Sequence, residues 1–240
     1  MPAPRFFCPI PLQPRCLMEL PATAAHHALR ALRLSDGDAV TLFDGSGGQY
    51  PARLQVSGAS VQALTGEAEA VERELQGCLR LIQGIASGDK MDWVVEKAVE
   101  LGVADLHPIA AERSVLKLAG PRLEKRMAHW RAIVQAASEQ CGRNRLMRIH
   151  EPTTLARCLD GLTGPTLFCH PEGERDLKAA LAGVDHALNL AVGPEGGWSA
   201  DELGQARRHA LEAIRFGPRV LRTETAGIAL AAAATALLEW

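Results

Sequence analysis

Residues 193–197 read Gly-Pro-Glu-Gly-Gly, set between an apolar run at 187–192 and the opening of a helix. Three glycines around one carboxylate leave backbone N–H and C=O groups bare, so a ligand can come close where a side chain would obstruct it. The spacing is not the G-x-G-x-x-G of a dinucleotide site, and Glu195 would repel a pyrophosphate. A carboxylate in such a loop suits a neutral or cationic ligand. Taken alone, the loop is equally compatible with a tight strand-to-helix turn that leaves Glu195 in solvent. A second stretch, "GPRVLRTET" at 217–225, is a long non-repetitive connection into an Ala-rich helix that starts near Thr223 or Glu224. Arg219, Arg222 and Glu224 lie beside this apolar element, where charged groups must be paired or employed.

Other chemistries find little support. The six cysteines, at 8, 16, 78, 141, 158 and 169, show no C-x-x-C spacing, and no His cluster completes a zinc set. They read as reduced thiols of a cytoplasmic protein without a metal. His26 and His27 are adjacent, so on a helix they point in different directions. "GIASGDKM" at 84–91 departs from a P-loop at Asp89 and Met91, and its glycines are expected to end a strand. The N-terminal "MPAPRFFCPIPL" is broken by prolines and lacks a signal-peptide core. The longest apolar run, 226–238, is shorter than the ~20 residues of a membrane span. A net charge of −2 advertises no nucleic-acid partner for the protein as a whole, so only a local basic patch could serve one.

These residues must be held by elements whose pattern is legible. The 240 residues suit one large or two small domains. Residues 1–72 look mostly β. "RFFCPI", "DAVTLFDG", "GQYPARLQV" and "SVQALTGEAEA" are strand-like, "DGSGG" at 44–48 is a hairpin turn, and "AHHALRAL" is a short helix with Ala25, Leu29 and Leu32 on one face. This suggests a small β-barrel with one helix. After a charged boundary at 70–77, strands alternate with helices through 73–240, the pattern of an α/β domain with a largely parallel, doubly covered sheet. Asp89 is expected to cap a helix that Gly102 ends, and a long helix runs from Arg122 to Gln140 with Leu123, Met127, Trp130, Val134 and Ala137 on one side. "ERDLKAAL" reads as a helix. Ser199 and Glu202 form a capping box, with Trp198 and Leu203 at the staple positions. The strand at 187–192 ends at Val192, and ligands of open α/β sheets bind beyond the carboxyl ends of strands, where 193–197 would sit. The last helix is apolar nearly all round, so it is expected to be buried on more than one side, in the core or against a second copy.

"GPEGGWSADE" followed by "FGPRVLRTETA" resembles the SPOUT-class 16S rRNA uridine-N3 methyltransferases. "HHALRALRLSDGDAVTLFDG", "GDKMDWVVEKAVELGV", "IAAERSV" and "ASEQCGR" follow the same family's order. Cys141 stands where the family usually has Ser, and Trp198 where Phe or Leu is common. The resemblance implies an RNA-binding PUA-like β-barrel over 1–72 and, over 73–240, a SPOUT domain with a mostly parallel sheet and a trefoil knot. It further implies S-adenosylmethionine as cofactor, a homodimer, and 16S rRNA or the small ribosomal subunit as partner. Three loops would surround the cofactor, through Leu167, Cys169 and His170; Gly193, Pro194, Glu195, Gly196 and Gly197; and Phe216, Gly217, Val220, Leu221, Arg222 and Thr223. For methylation of a uridine N3, Arg222 is the candidate cation that stabilises a developing uracil oxyanion, and Glu224 a base or a structural partner of Arg222. Alternatively this region merely caps the last helix. Arg113, Arg143, Arg145 and Arg148 are candidate RNA contacts, the last three otherwise a solvated helix end. The barrel's five arginines, Arg5, Arg15, Arg30, Arg33 and Arg53, are outnumbered by seven Asp and Glu through Glu72, which weakens binding by that domain alone. The rival readings are a non-catalytic ribosome-assembly factor of the same fold, and a SPOUT methyltransferase with a different RNA target atom.

Overall fold

Alternation in the first seventy residues produces a five-stranded sheet in the computed structural model, which describes residues 3–58 and 60–240. Strands β1 (Arg5–Phe7), β2 (Leu17–Glu19), β3 (Ala39–Phe43), β4 (Tyr50–Ser57) and β5 (Ser60–Thr65) lie in the order β1-β3-β4-β5-β2. The β1–β3 pair is parallel and the others antiparallel. In β4, Ala52 and Leu54 turn inward while Pro51, Arg53 and Gln55 face solvent, as a one-sided sheet requires. Residues 44–48 close the β3–β4 hairpin, with Gly45, Gly47 and Gly48 at φ 85°, 109° and 70°. Phe6, Val40, Leu42, Leu54, Val61 and Ala63 form the core with Ala24 and Ala28. The helix starts earlier than its apolar spacing predicts. Helix α1 (Ala22–His26) continues into a π turn, His27–Ala31, whose wider winding leaves Leu32 exposed and off the Leu29 face. The charged segment after β5 is organised by residues far along the chain. Residues up to Glu74 form one compact unit together with Gln135–Leu146. There, Asn144 donates to the Val71 carbonyl at 2.6 Å and receives Arg5 Nη2 at 2.5 Å.

The second unit, Leu75–Val134 with Met147–Trp240, is built on an all-parallel sheet. Its strands are β6 (Cys78–Gly84), β7 (Asp105–Ile109), β8 (Arg148–Ile149), β9 (Thr166–Cys169), β10 (Arg175–Asp176), β11 (Ala187–Val192) and β12 (Glu212–Arg215), in the order β10-β12-β9-β11-β6-β7-β8. Helices α2 (Lys90–Glu100), α5 (Leu177–Ala180) and α7 (Thr223–Leu238) cover one face, and α4 (Leu155–Asp160) and α6 (Ala200–Arg208) the other. The central strands β6 and β11 are buried on both faces, and so read as continuous apolar runs. Helix α3 (Gly120–Cys141) buries Met127, Trp130, Val134 and Ala137 as its spacing predicts, while Leu123 is half-buried. Trp130 Nε1, Arg126 and His129 all reach the Asp92 carboxylate in the first turn of α2, at 2.9, 3.3 and 2.8 Å.

Two further local expectations are corrected. Asp89 has helical backbone angles and makes no side-chain cap bond to α2. "ERDLKAAL" is not one helix: Arg175 and Asp176 pair with Ile214 and Arg215 of β12 before the chain turns, and Asp176 then caps α5 through Ala179 N–H at 2.8 Å. Helix α7 buries one stripe, Thr223, Gly227, Leu230, Ala231 and Ala234, and leaves Ala232, Ala236 and Leu237 exposed. Other signals hold. The capping box is complete, with Glu202 N–H donating to Ser199 Oγ at 3.2 Å and Ser199 N–H to Glu202 Oε2 at 2.9 Å. Trp198 is buried with half-buried Leu203 beside the same cluster. Among the described residues no helix is long and apolar enough to cross a membrane, and the six cysteines are free thiols. Replacing Ser199 by Ala removes one side of the box and is expected to lower unfolding stability by about 1 kcal/mol in urea titrations, with an unchanged m-value.

Candidate functional site

Because every strand of the second sheet runs the same way, the chain leaves β6, β9, β11 and β12 at one end of the sheet, and these four are neighbours. A cavity of about 640 Å³ opens there, a size usual for small-molecule sites. The loops after β9, β11 and β12 line it. Cys169, His170, Gly193, Pro194, Glu195, Gly196, Gly197, Phe216, Gly217, Val220, Leu221, Arg222 and Thr223 all face it, as do Glu224 and Arg113. Leu167 does not; it is 5% exposed within β9, paired with Leu190 of β11. A side chain two residues before the strand end packs in the sheet interior, so the cavity begins at Cys169. Burial pushes the Cys169 thiol up to about 12, which leaves it protonated and inert.

The glycines answer to close approach. A Cβ on Gly84 would lie 2.4 Å from Pro194 N, and one on Gly196 would lie 2.9 Å from Arg113 Cβ and 3.0 Å from the Arg113 carbonyl oxygen. Gly197, at φ 69°, completes a turn by donating to the Pro194 carbonyl at 2.9 Å. The loop is thus pressed between the end of β6 and the turn that carries Arg113. Glu202 connects these parts, because its Oε1 also receives Glu112 N–H at 3.1 Å.

Beneath the cavity is a buried polar node that sequence reasoning missed. Gln83 is fully buried and donates to Thr223 Oγ1 at 2.8 Å, and Thr223 Oγ1 donates to the Gly193 carbonyl at 2.5 Å. The signal was a lone amide inside the apolar run "LRLIQGI", which must find a partner when buried. Gly227 lets α7 come down on this node, since a Cβ there would meet Gln83 Oε1 at 2.9 Å and Leu81 Cδ1 at 3.2 Å.

Glu195 is on the solvent-exposed side of the loop, but its carboxylate is not free. Its Oε1 receives Ser87 N–H at 2.9 Å, Ser87 Oγ at 2.6 Å and Lys90 Nζ at 3.0 Å. Burial works to raise this carboxyl, but the Ser87 and Lys90 donors outweigh it and hold the group at about 2. Of the two roles left open for Glu224, a bonded partnership with Arg222 is not seen in this structure. Among the described residues neither side chain has a hydrogen-bond or ion-pair partner, and Glu224 Oε2 is buried without one. Arg215, Arg219 and Arg222 are exposed at the cavity wall, beside exposed Phe216 and Val220.

The four arginines expected to meet RNA are divided between the two units, Arg143 and Arg145 in the first and Arg113 and Arg148 in the second. Arg113 lines the cavity and reaches the Gly196 carbonyl at 3.4 Å. Arg143 is 4% exposed and forks onto Glu74 at 3.0 and 2.5 Å, so its guanidinium is occupied inside the N-terminal unit and is withdrawn as an RNA contact. Arg145 is exposed but pairs with Glu72 at 2.8 Å, and Arg148 lies 3.7 Å from Asp105 at the β8 edge of the other unit. Asp105, His107 and His150 bring possible metal-ligand atoms within 4.8 Å of one another. His150 bonds Asp105 at 2.8 Å, however, and Arg80 and Arg148 stand 3.6 and 3.7 Å from the same carboxylate. A divalent cation would enter beside two guanidiniums, and we assign this edge cluster no metal. Burial, then His150, hold His107 down at about 4, a neutral ring stacked 4.0 Å from its neighbour.

Two family models match the chain. Residues 73–235 match the model of an RNA methyltransferase domain, and residues 20–62 that of an RNA methyltransferase PUA domain. The chain is 30% identical to the ribosomal RNA small subunit methyltransferase E of Synechocystis, over 89% of this chain and 71% of the relative. Among solved structures it is similar to the Legionella pneumophila protein Lpg2936 in complex with the bound cofactor SAM, with 32% identity, a TM-score of 0.93 and 98% of each chain covered. It is also similar to ribosomal RNA small subunit methyltransferase E from Neisseria gonorrhoeae bound to S-adenosyl methionine, with 34% identity, a TM-score of 0.90 and 98% of each chain covered. A parallel sheet whose glycine-rich strand ends enclose a cavity, carried on a chain whose sequence matches from the PUA segment through the last helix, belongs to the SPOUT-fold family of small-subunit ribosomal RNA methyltransferases.

Proposed function

We propose that this chain binds S-adenosylmethionine in the cavity after β9, β11 and β12 and methylates N3 of a specific uridine in 16S rRNA. The observation that carries the reading is the pairing of bare glycine backbone on one wall with an unpartnered Arg222 and Glu224 on another. The fit is supported by the cavity's chemistry. Loops 193–197 and 216–221 offer backbone donors and acceptors to an uncharged adenine, and Val220 and Leu221 offer apolar contact. Glu195 is already compensated by Lys90 and Ser87, so a cationic ligand is neither repelled nor captured by it. The two SAM-bound neighbours align over nearly the whole of this chain.

Bound adenosylmethionine supplies an electrophilic methyl group. The protein's own tasks are to orient the acceptor, exclude water and manage one proton. As the N3 proton leaves, negative charge grows on the uracil oxygens, and Arg222 holds that charge. Glu224, whose Oε2 lacks a partner, accepts the proton. Arg113, Arg215 and Arg219 around the same cavity supply local positive charge for RNA phosphates on a chain whose net charge is −2. Arg145 and Arg148 remain RNA contacts of lower weight because each faces an acid. In this reading residues 1–72 grip RNA, residues 73–240 bind the cofactor and react, and the enzyme works in the cytoplasm. The exposed stripe of α7, Ala232, Ala236 and Leu237, is covered by a second copy in a homodimer.

Arg222→Ala is expected to lower kcat about a hundredfold or more while leaving the adenosylmethionine Kd within about threefold, read by tritium transfer to small subunits and by calorimetry. Equal loss of both would make Arg222 a binding residue. Gly196→Val places a side chain against the Arg113 backbone and is expected to raise that Kd at least about tenfold. Unchanged affinity would detach the loop from the ligand. Ala236→Arg is expected to shift the chain from dimer to monomer by light scattering, and a persisting dimer would place the interface elsewhere.

A further inference from the structure

Glu195 is the one ionisable residue of the 193–197 loop, and all three of its donors converge on the same oxygen. Two come from Ser87, three residues beyond the end of β6, and the third from Lys90, the first residue of α2. Lys90 is set in place by its own helix, whose first turn is fixed to α3 through Asp92. Lys90 is therefore on a fixed helix, Ser87 lies in the short turn between β6 and α2, and the acceptor is on a loop rich in glycine. Without a restraint such a loop samples many backbone states, because glycine gives it conformational freedom. On the other side Gly196 abuts Arg113, whose guanidinium makes one long bond of 3.4 Å to the Gly196 carbonyl, and Thr223 holds the Gly193 carbonyl at the loop's start.

We infer that Glu195 is a positioning residue, a tether that fixes the 193–197 backbone in its cavity-lining form by bonding to Ser87 and Lys90, and that it acts on the ligand through that backbone. The inference rests on reading the cavity as the adenosylmethionine site. The carboxylate's low proton affinity, at about 2, follows from the same donors and keeps the tether intact across the whole working pH range. Ser87 is the informative partner, because it is not among the residues that line the cavity. Any effect of Ser87 on cofactor affinity must pass through Glu195. Loss of the tether lowers the fraction of molecules whose loop is competent, and apparent affinity falls by that fraction, while a molecule that has bound cofactor reacts as before. The tether therefore has a signature distinct from that of Arg222: a raised KM for adenosylmethionine at nearly constant kcat.

The test compares the full-length chain with Ser87→Ala, Glu195→Gln and the double variant. It uses calorimetric titration with adenosylmethionine, steady-state methylation of small subunits, and hydrogen exchange of the ligand-free 193–197 amides. Expected are a rise of about tenfold in Kd and KM in each variant, kcat within about threefold, faster exchange at 193–197, and a double variant no worse than the poorer single one. Glu195→Asp, one methylene shorter, is expected to fall with the Gln variant and so shows that reach matters as well as charge. The inference is overturned if Ser87→Ala binds as the wild type does while Glu195→Gln loses affinity, which would make Glu195 a direct ligand contact. It is also overturned if exchange at 193–197 is unchanged in both. If the wild-type chain itself fails to bind adenosylmethionine, the cofactor reading fails, and the exchange comparison on the ligand-free chain still decides the tether.

Discussion

Thr223 Oγ1 receives Gln83 and gives its own proton to the Gly193 carbonyl, all below the cavity floor. One hydroxyl thereby joins the end of β6, the loop after β11 and the first residue of α7. Each bond is worth only about 1 kcal/mol net, but leaving one of these buried groups unpaired costs about 1–3 kcal/mol. The geometry is over-determined as a result: no one of the three segments can move without orphaning a buried group on another. Gly84 and Gly227 extend the same constraint by removing Cβ atoms where Pro194 and Gln83 must come close. The 193–197 loop is then held from below by this node, from one side by Ser87 and Lys90 acting on Glu195, and from the other by Arg113. Arg113 is itself steadied because the carboxylate that caps α6 also holds Glu112.

The amount of this that the sequence discloses depends on how local each cause is. The capping box at Ser199 and Glu202, the hairpin glycines at 44–48 and the doubly buried strands β6 and β11 were legible because their patterns repeat over a few residues. So was the place of the cavity, since parallel strands put their following loops at one end. Non-local partners were not legible. Arg143 looked like a free charge past a helix, and Glu74, its partner, lies 69 residues away in sequence. Arg175 and Asp176 fit a helical pattern until β12 supplied an edge to pair with. Asp89 has a capping residue type, yet its backbone is already helical, so its side chain cannot serve the turn that follows. Leu32 was misplaced for a subtler reason, because a single π turn changes the angular step that periodicity assumes.

The residues around the cavity divide by how fully they are partnered. Gln83, Ser87, Lys90, Glu195 and Thr223 are all engaged with protein groups, and they shape the backbone. Arg222 and Glu224 follow one another closely at the start of α7 and are engaged with none among the described residues. Opposite charges so near in sequence would ordinarily pair, and the helix start keeps them apart: Arg222 has extended backbone angles while Glu224 has entered the first turn. A buried carboxylate oxygen without a donor is costly unless something arrives to bond it. That cost falls on the pair assigned to the acceptor base, whereas on the cofactor side Glu195 Oε1 and Thr223 Oγ1 are bonded. The arrangement separates two requirements that a single flexible loop could not meet together: a backbone cradle rigid enough to bind without rearrangement, and an open pair of charges that only the reacting base can satisfy.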